Sequence, residues 1–381
     1  MNSKTLSPGK TRISITVFFF MSGLCFASWA SRIPDIKNAL ELNDAELGTI
    51  LFALPAGLMV SLLFSGWMVT RFGSRRMVIA GNVLYATTLT FIGLASAPWQ
   101  LAVVLFVFGL WGNLINIAVN TQAVNAEAIY GRSIMASFHG AWSLAGFTGA
   151  SIAFLLIANH VSPYVHFCMI GAAVFILIFA SYRNLLTDRV QTQAQPVFAW
   201  PDGLLLQLGL IGFFGMACEG AMFDWSSVYF QDAVHSPATL TILGYVAFMS
   251  TMTGGRFVGD YLVNRLGRKK MLQLSGILIA SGLSMAVIDP SLITATIGFL
   301  LVGFGVSSVI PLVYGAAGRS TRMSAGTALA AVSTISFLGF LLGPPVIGWI
   351  AQAANLRYSF ALIAILGFCI TLLASKAKLV E

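Results

Sequence analysis

The sequence predicts an all-α membrane protein whose twelve transmembrane helices form two six-helix halves. Three observations predict this fold class. Hydrophobic residues make up 57% of the chain and charged residues only 9%, whereas a soluble domain carries roughly 25% charged residues. Twelve apolar runs have about the 20 residues that a helix needs to cross a bilayer. A short basic segment recurs at the same place in the two halves of the chain.

The composition excludes a soluble globular protein, because so apolar a chain has too few polar side chains to cover its own surface. The net charge of +8 does not indicate a nucleic-acid partner, because the basic residues are scattered over short loops and form no single stripe. The four cysteines lie inside apolar runs without disulfide or zinc-ligand spacing. We therefore expect packing cysteines, no metal and no cofactor.

The loops between the predicted spans are short, and the longer ones include 32–45, 183–201 and 226–237. Residues 1–12 are polar and basic, and we expect no cleavable signal peptide after them. The predicted spans cover residues 13–31, 46–69, 77–96, 99–121, 134–158, 163–182, 203–225, 238–262, 271–289, 291–317, 325–351 and 358–375.

Lysine and arginine in the loops predict that both termini are cytoplasmic, because cytoplasmic loops retain positive charge. One side of the membrane then carries seventeen of these residues, and the other side carries only Arg32, Lys37 and Arg357. The linker 183–201 contains three glutamines and a proline, a composition typical of a flexible connector. We therefore predict a six-helix half over 1–182, this cytoplasmic linker, and a second half over 202–381.

The basic segment is Arg-Phe-Gly-Ser-Arg-Arg-Met at 71–77 and Arg-Leu-Gly-Arg-Lys-Lys-Met at 265–271, so the two copies lie 194 positions apart. Its glycine allows a tight reversal between two helices. Parallel repeats of this kind place a substrate site near the bilayer midplane, where the repeats meet. The same spacing relates two pairs of glycines, Gly109 with Gly303 and Gly149 with Gly343.

Together these features resemble the major facilitator superfamily over essentially the whole chain. Residues 31–37, 138–143 and 219–226 are similar to the branch that includes the rhizopine permease MosC and the inner-membrane protein YbjJ, a branch distantly similar to sugar permeases. The resemblance implies a secondary transporter of the cell (inner) membrane that acts as a monomer and is not an enzyme. It implies that the two halves rock to expose the substrate to each side in turn.

In that family the basic turn belongs to the motif G-x-x-x-D-R-x-G-R-R, whose Asp and Arg help to lock the cytoplasmic gate. The sequence departs from the motif at both aspartate positions, which hold Thr70 and Asn264. The resemblance implies a gating role for Arg71, Gly73, Arg75, Arg265 and Gly267.

Asp260 offers a replacement carboxylate one turn before the second basic turn. It lies four residues after Arg256, so the two side chains share a helix face. We predict that this pair stabilises the inward-closed state, which cysteine accessibility in Asp260→Asn would test. The alternative role for the basic turns is topology and attraction to anionic lipid.

Three ionisable residues inside predicted spans are candidates for proton coupling: Glu219, Asp224 and His139. Such groups are costly in hydrocarbon and mark functional sites. Glu219 and Asp224 are five residues apart, about 140° around one helix, so they do not share a face. Glu219 lies deeper in its span, where burial favours the protonated carboxyl form. A structural hydrogen bond remains the alternative for Glu219 and His139, and a solvated external position the alternative for Asp224.

The fourth predicted span carries the clearest polar stripe, in which Asn113, Asn116 and Asn120 share one face. Three amides facing lipid would be costly, so we expect this face to line a wet cavity. Hydrogen bonding between helices is the alternative. Amides both donate and accept, which suits hydroxyl-rich solutes. The other substrate-cavity candidates are Ser28, Trp29, Trp142 and Trp225.

The sequence therefore predicts a proton-coupled symporter for a small polar organic solute such as a sugar, a polyol or an inositol-like compound. The alternative is a proton-driven efflux pump for lipophilic or cationic compounds, which the 14 methionines and many aromatic residues also fit. A membrane enzyme is disfavoured, because the chain shows no carboxylates paired on one face, no nucleophile elbow and no metal cluster.

Overall fold

The computed structural model describes residues 7–130, 134–187, 203–319 and 325–377. Within these ranges the chain forms fourteen α-helices and two short 3₁₀ turns. Ten helical segments there are long and apolar enough to cross a membrane. In chain order the helices are α1 (Pro8–Ala30), α2 (Ile33–Ala39), α3 (Asp44–Leu51), α4 (Ala53–Phe72), α5 (Ser74–Ile92), α6 (Pro98–Tyr130), α7 (Met135–Ala158), α8 (Pro163–Ser181), α9 (Gly203–Asp232), α10 (Leu243–Leu266), α11 (Arg268–Ile288), α12 (Leu292–Ala317), α13 (Ala325–Ala353) and α14 (Leu356–Lys376).

The chain divides into two compact units whose long helices pair in the same pattern. In the first unit α1 packs against α7, α4 against α6, and α5 against α6 and α8. In the second unit α9 packs against α13, α10 against α12, and α11 against α12 and α14. Close glycine contacts repeat the 194-residue spacing, because Gly109 abuts the carbonyl of Leu54 and Gly303 abuts that of Phe248.

Residues 41–52 come from the first half of the sequence but belong to the second unit. There α3 packs against α13. A Cβ added to Gly48 would lie 2.7 Å from the carbonyl oxygen of Pro344 and 3.0 Å from Cα of Gly348. Trp349 Nε1 donates to Thr49 Oγ1 at 3.4 Å beside this contact. We call this crossing of α3 and α13 the Gly48–Gly348 seam.

Two helices extend furthest beyond the C-terminal ends of the apolar runs that predict them. The fourth predicted span ends at 121, but α6 continues to Tyr130, and α9 continues past 225 to Asp232. The extension of α6 is held by tertiary hydrogen bonds, since Gln122 Nε2 donates to Ser74 Oγ at 2.7 Å and to the carbonyl of Leu186 at 2.9 Å. Hydropathy marks only the apolar part of a helix, so these polar ends were predicted as loops.

The region 32–52 also differs from its prediction. The predicted loop 32–45 contains α2, and the predicted span 46–69 is interrupted at Phe52, between α3 and α4. Pro55 explains the interruption, because proline has no N–H to donate to the carbonyl of Leu51. A short helix and a kink therefore lie where the sequence indicated one loop and one straight span.

Each basic turn bends at a glycine with a positive φ angle. Gly73 has φ 87° and ψ 143°, and Gly267 has φ 79° and ψ 156°. This region of backbone conformation is essentially restricted to glycine. The two glycines therefore allow α4 to reverse into α5 and α10 to reverse into α11.

Replacing Gly73 with alanine is expected to lower the free energy of unfolding by about 1–3 kcal/mol, the cost of a strained backbone conformation. Nothing lies within 4 Å of the added Cβ, so the cost is conformational. Gly66→Ala is the matched control, because Gly66 lies within α4 with equally open space and alanine favours a helix. Equal thermal unfolding midpoints for the two variants in detergent would contradict this account.

Candidate functional site

An ion pair joins α9 to α10 inside the second unit. Arg256 Nη2 lies 3.3 Å from Glu219 Oε1. The two side chains are 21% and 10% exposed, so both are largely removed from solvent. Pairing offsets part of the high cost of placing either charge alone in a low-dielectric interior. The sequence predicted a partner for Arg256 at Asp260, but the side chain of Asp260 lies outside the described residues.

Aromatic and hydroxyl side chains surround this pair. Tyr314 of α12 lies near both Glu219 and Ser336 of α13. One helical turn along α9 from Glu219, the ring of Phe223 meets Phe248 edge-on at 5.7 Å. Four helices of the second unit therefore contribute to one polar site with an aromatic wall.

Asp224 lies in the protein interior, where it is only 7% exposed. The solvated position considered from the sequence is wrong, because α9 continues about two turns beyond it. Tyr245 of α10 lies near it, since the Tyr245 ring is 6.4 Å from that of Phe223, the residue before Asp224. The Tyr245 hydroxyl is fully buried and has no hydrogen-bond partner among the described residues.

The asparagine stripe of α6 divides into two parts. Asn113 is 2% exposed, and its Nδ2 has no partner within the described part of the chain. Asn116 is exposed. Asn120 is half-buried, and its Nδ2 donates to the side-chain oxygen of Asn116 at 2.8 Å and to the backbone carbonyl of Asn116 at 2.8 Å. The amide–amide bond lies within one helix, so a cavity-lining role stays a prediction.

The predicted polar face of α7 carries one exposed histidine. The His139 ring meets Phe19 edge-on at 5.3 Å, and Ser143 Oγ donates to the His139 carbonyl at 3.2 Å. Trp142 is half-buried, with its ring 6.2 Å from that of Phe26. The three residues lie on one side of α7 as expected, and their use in proton transfer or substrate contact stays a prediction.

Three other substrate-cavity candidates are fully buried: Ser28, Trp29 and Trp225. Ser28 Oγ donates to the carbonyl of Leu24 within α1 at 2.8 Å. The indole N–H groups of Trp29 and Trp225 have no hydrogen-bond partner among the residues described. In this structure all three belong to the protein core, and their contact with substrate stays a prediction.

The arginines of the basic turns lie at helix ends. Arg71 and Arg265 are exposed, and Arg75 is half-buried. The guanidinium of Arg265 lies 4.7 Å from the ring centroid of Tyr261, a cation–π contact one turn back along α10. The gating role that the sequence predicted for these residues stays a prediction.

Sequence patterns did not indicate a buried polar cluster in the first unit. An arginine at the end of a span ordinarily extends to solvent, but Arg32 is 2% exposed. Its Nε donates to His166 Nδ1 at 3.1 Å, its Nη1 to Asp35 Oδ2 at 2.8 Å, and its Nη2 to the carbonyl of Val161 at 2.8 Å. The position of Asp35 three residues after Arg32 was the available signal; His166 is 134 residues away in the chain.

Arg32→Met is expected to lower the free energy of unfolding by about 1–3 kcal/mol for each buried acceptor that loses its donor. Arg357→Met is the control, because Arg357 also donates to two carbonyls, those of Val287 and Ile288, but is exposed. The midpoints of thermal unfolding in detergent are compared for the two variants. A decrease in midpoint for Arg357→Met as large as that for Arg32→Met would contradict the role that we assign to the burial of Arg32.

A polar site set in long apolar helices, in units with repeated packing, is typical of membrane transporters. Residues 15–265 and 208–380 match the model of the Major Facilitator Superfamily. The chain belongs to this family. It is a multi-pass membrane transporter of small molecules and not an enzyme.

Relatives within the superfamily cover almost the whole chain. An uncharacterised MFS-type transporter of Yersinia pestis is 34% identical over 367 residues, which span 96% of each protein. The membrane protein MosC of Rhizobium meliloti is 31% identical over 365 residues, covering 95% of this chain and 89% of MosC, which confirms the predicted resemblance. The cis,cis-muconate transport protein of Acinetobacter baylyi is 23% identical over 353 residues, covering 86% of this chain and 84% of that protein.

A solved transporter structure shares the fold. It is a bacterial homologue of the human lysosomal transporter Spinster, with a TM-score of 0.76 over 99% of this chain and 98% of that one. At 14% sequence identity the likeness concerns the fold alone.

Proposed function

We propose that this major facilitator protein moves a small polar organic solute by alternating access and couples that movement to protons. The observation that carries the proposal is the Glu219–Arg256 pair between α9 and α10. Ionisable residues inside membrane segments are rare, and they mark substrate and proton pathways. Because both side chains keep some exposure, the pair is accessible to a solute or to water as well as being held by protein.

The proposal includes twelve membrane-spanning helices with both termini cytoplasmic. Beyond the ten apolar segments, α5 and α10 have 19 and 24 residues. At 1.5 Å per residue these lengths are about 28 and 36 Å, comparable to the roughly 30 Å hydrocarbon core. Each packs against helices that belong to the ten apolar segments. This packing supports counting α5 and α10 as membrane spans despite their arginines.

The proposed substrate class is a sugar, a polyol or an inositol-like compound. The amides of Asn113 and Asn116 supply donors and acceptors for hydroxyl groups. The half-buried ring of Trp142 offers an apolar face for a sugar ring. Charged pairs such as Glu219–Arg256 bind neighbouring hydroxyls well, because hydrogen bonds to charged groups are stronger than neutral ones.

A small organic acid is a second candidate substrate. Arg256 favours it, because a guanidinium group binds carboxylates in two-point geometry. The distant relative named for cis,cis-muconate transport supports the same class. If the substrate is an organic acid, its carboxylate competes with Glu219 for Arg256.

Uptake into proteoliposomes with an imposed pH gradient tests these proposals. We would compare radiolabelled myo-inositol, a hexose, cis,cis-muconate and tetraphenylphosphonium, each with and without a protonophore. Accumulation of the polyol or hexose that the protonophore abolishes is the expected result. Accumulation of muconate alone would favour the organic acid, export of tetraphenylphosphonium alone would favour drug efflux, and solute movement insensitive to the pH gradient would contradict proton coupling.

A further inference from the structure

We propose that the transported proton is bound by Asp224, close to the buried hydroxyl of Tyr245, while Glu219 stays ionised against Arg256. This assignment rests on the proposed proton coupling and specifies where the proton resides. It gives Glu219 and Asp224, both on α9, different tasks. Asp224 changes its charge, and Glu219 holds a constant one.

The charges around α9 support this division. Helices α10, α12, α13 and α14 pack against α9, and they carry few titratable or charged side chains. On α13, from Ala325 to Ala353, the sequence has none. The groups on the other three helices whose side chains are described are Tyr245, Arg256, Tyr261 and Arg265 on α10, Tyr314 on α12, and Arg357, Tyr358, Cys369 and Lys376 on α14.

The two arginines nearest to this region are committed elsewhere. Arg256 pairs with Glu219 and lies eleven residues from Tyr245 on α10, about 16 Å along the helix axis. Arg357 is exposed and donates to two backbone carbonyls at the end of α11. Asp224 therefore has no paired cation among the described residues. A buried carboxylate without a cation is strongly unfavourable, and binding a proton removes the charge.

The hydroxyl of Tyr245 is available to this site. It is buried and has no hydrogen-bond partner among the described residues, Asp224 included, and leaving such a group unpaired is costly. A protonated carboxyl group can donate its O–H to a phenol oxygen, and a carboxylate can accept a phenol O–H. We therefore expect the two groups to pair as the proton binds and leaves.

Infrared difference spectroscopy of the full-length protein in lipid tests the assignment without a substrate. A protonated carboxylic acid has a C=O stretching band that disappears as rising pH removes the proton and shifts in heavy water. We expect wild type and Glu219→Gln to show this band, and Asp224→Asn to lose it. Asp232→Asn is the matched control, because Asp232 ends the same helix in a half-buried position; this variant should keep the band.

Tyr245→Phe provides a second test that leaves the carboxyl group in place. We expect the band to remain while the pH at which half of it disappears shifts, because the carboxylate loses its donor. A band that Asp224→Asn retains and Glu219→Gln loses would overturn the assignment, as would the absence of any such band in wild type. Failure of the coupling proposal is distinguishable: the band would behave as expected, but a pH gradient would drive no solute.

Discussion

Glu219→Gln is expected to lower the free energy of unfolding by about 3–5 kcal/mol, the usual cost of removing one partner of a buried ion pair. The variant removes the Glu219 carboxylate from the Arg256 guanidinium, whose side chain is only 21% exposed. We expect pH-driven solute accumulation to be lost as well. Chemical denaturation in detergent and proteoliposome uptake measure the two effects.

A double variant separates charge imbalance from lost packing. Glu219→Gln combined with Arg256→Gln removes both charges, so it should recover much of the stability that either single change loses. Groups in direct contact show such coupling in double-mutant cycles. Glu41→Gln is the control, since an exposed carboxyl group should change stability by no more than about 0.5 kcal/mol. Strict additivity of the two single effects would mean that the ion pair is not formed.

Gly348→Leu is expected to force α3 away from α13 at the Gly48–Gly348 seam. Even a Cβ at Gly348 would meet the carbonyl of Asp44, with Cα of Gly48 only 2.9 Å away. Backbone atoms cannot move aside as a flexible side chain can, so the cost should reach or exceed the about 1–3 kcal/mol typical of an overpacked core. The variant should unfold at a lower temperature than wild type.

The displaced seam should also expose Leu51, which is buried on α3 three residues after Gly48. A Leu51→Cys reporter, in a background without the four native cysteines, should react faster with an impermeant maleimide when Gly348→Leu is present. Gly254→Ala is the control, because nothing lies within 4 Å of its added Cβ. Unchanged labelling with unchanged stability would show that α3 and α13 do not pack this closely.

Much of the candidate site was predictable because its signals are local. Glu219 stands out as a charge inside an apolar run, and the basic turns stand out as a repeated seven-residue pattern. Gly73 and Gly267, predicted to reverse the chain, have the positive φ angles that such a turn needs. The resemblance to the MosC branch was also visible in short stretches, and the relatives confirm it.

Other features were not predictable because they join residues distant in sequence. Arg256 lies 37 residues from Glu219, and Arg32 lies 134 from His166. Each pairing depends on which helix faces which, and hydropathy carries no such information when helices are apolar on all sides. Tyr245 was overlooked for the same reason, since a tyrosine in an apolar run resembles ordinary core until a carboxyl group is placed beside it.

Hydropathy and the internal repeat were sufficient to predict a helical membrane protein, because crossing a bilayer imposes length and polarity on each segment separately, and the resemblance of its motifs indicated this superfamily. Tertiary structure alone decided that α3 joins the second unit, that Arg256 pairs with Glu219, and that Asp224 is buried near Tyr245 with no paired cation in the described part of the chain. These are properties of packing between segments. In a low-dielectric interior the identity of a charge's neighbour, rather than the charge itself, determines what it does.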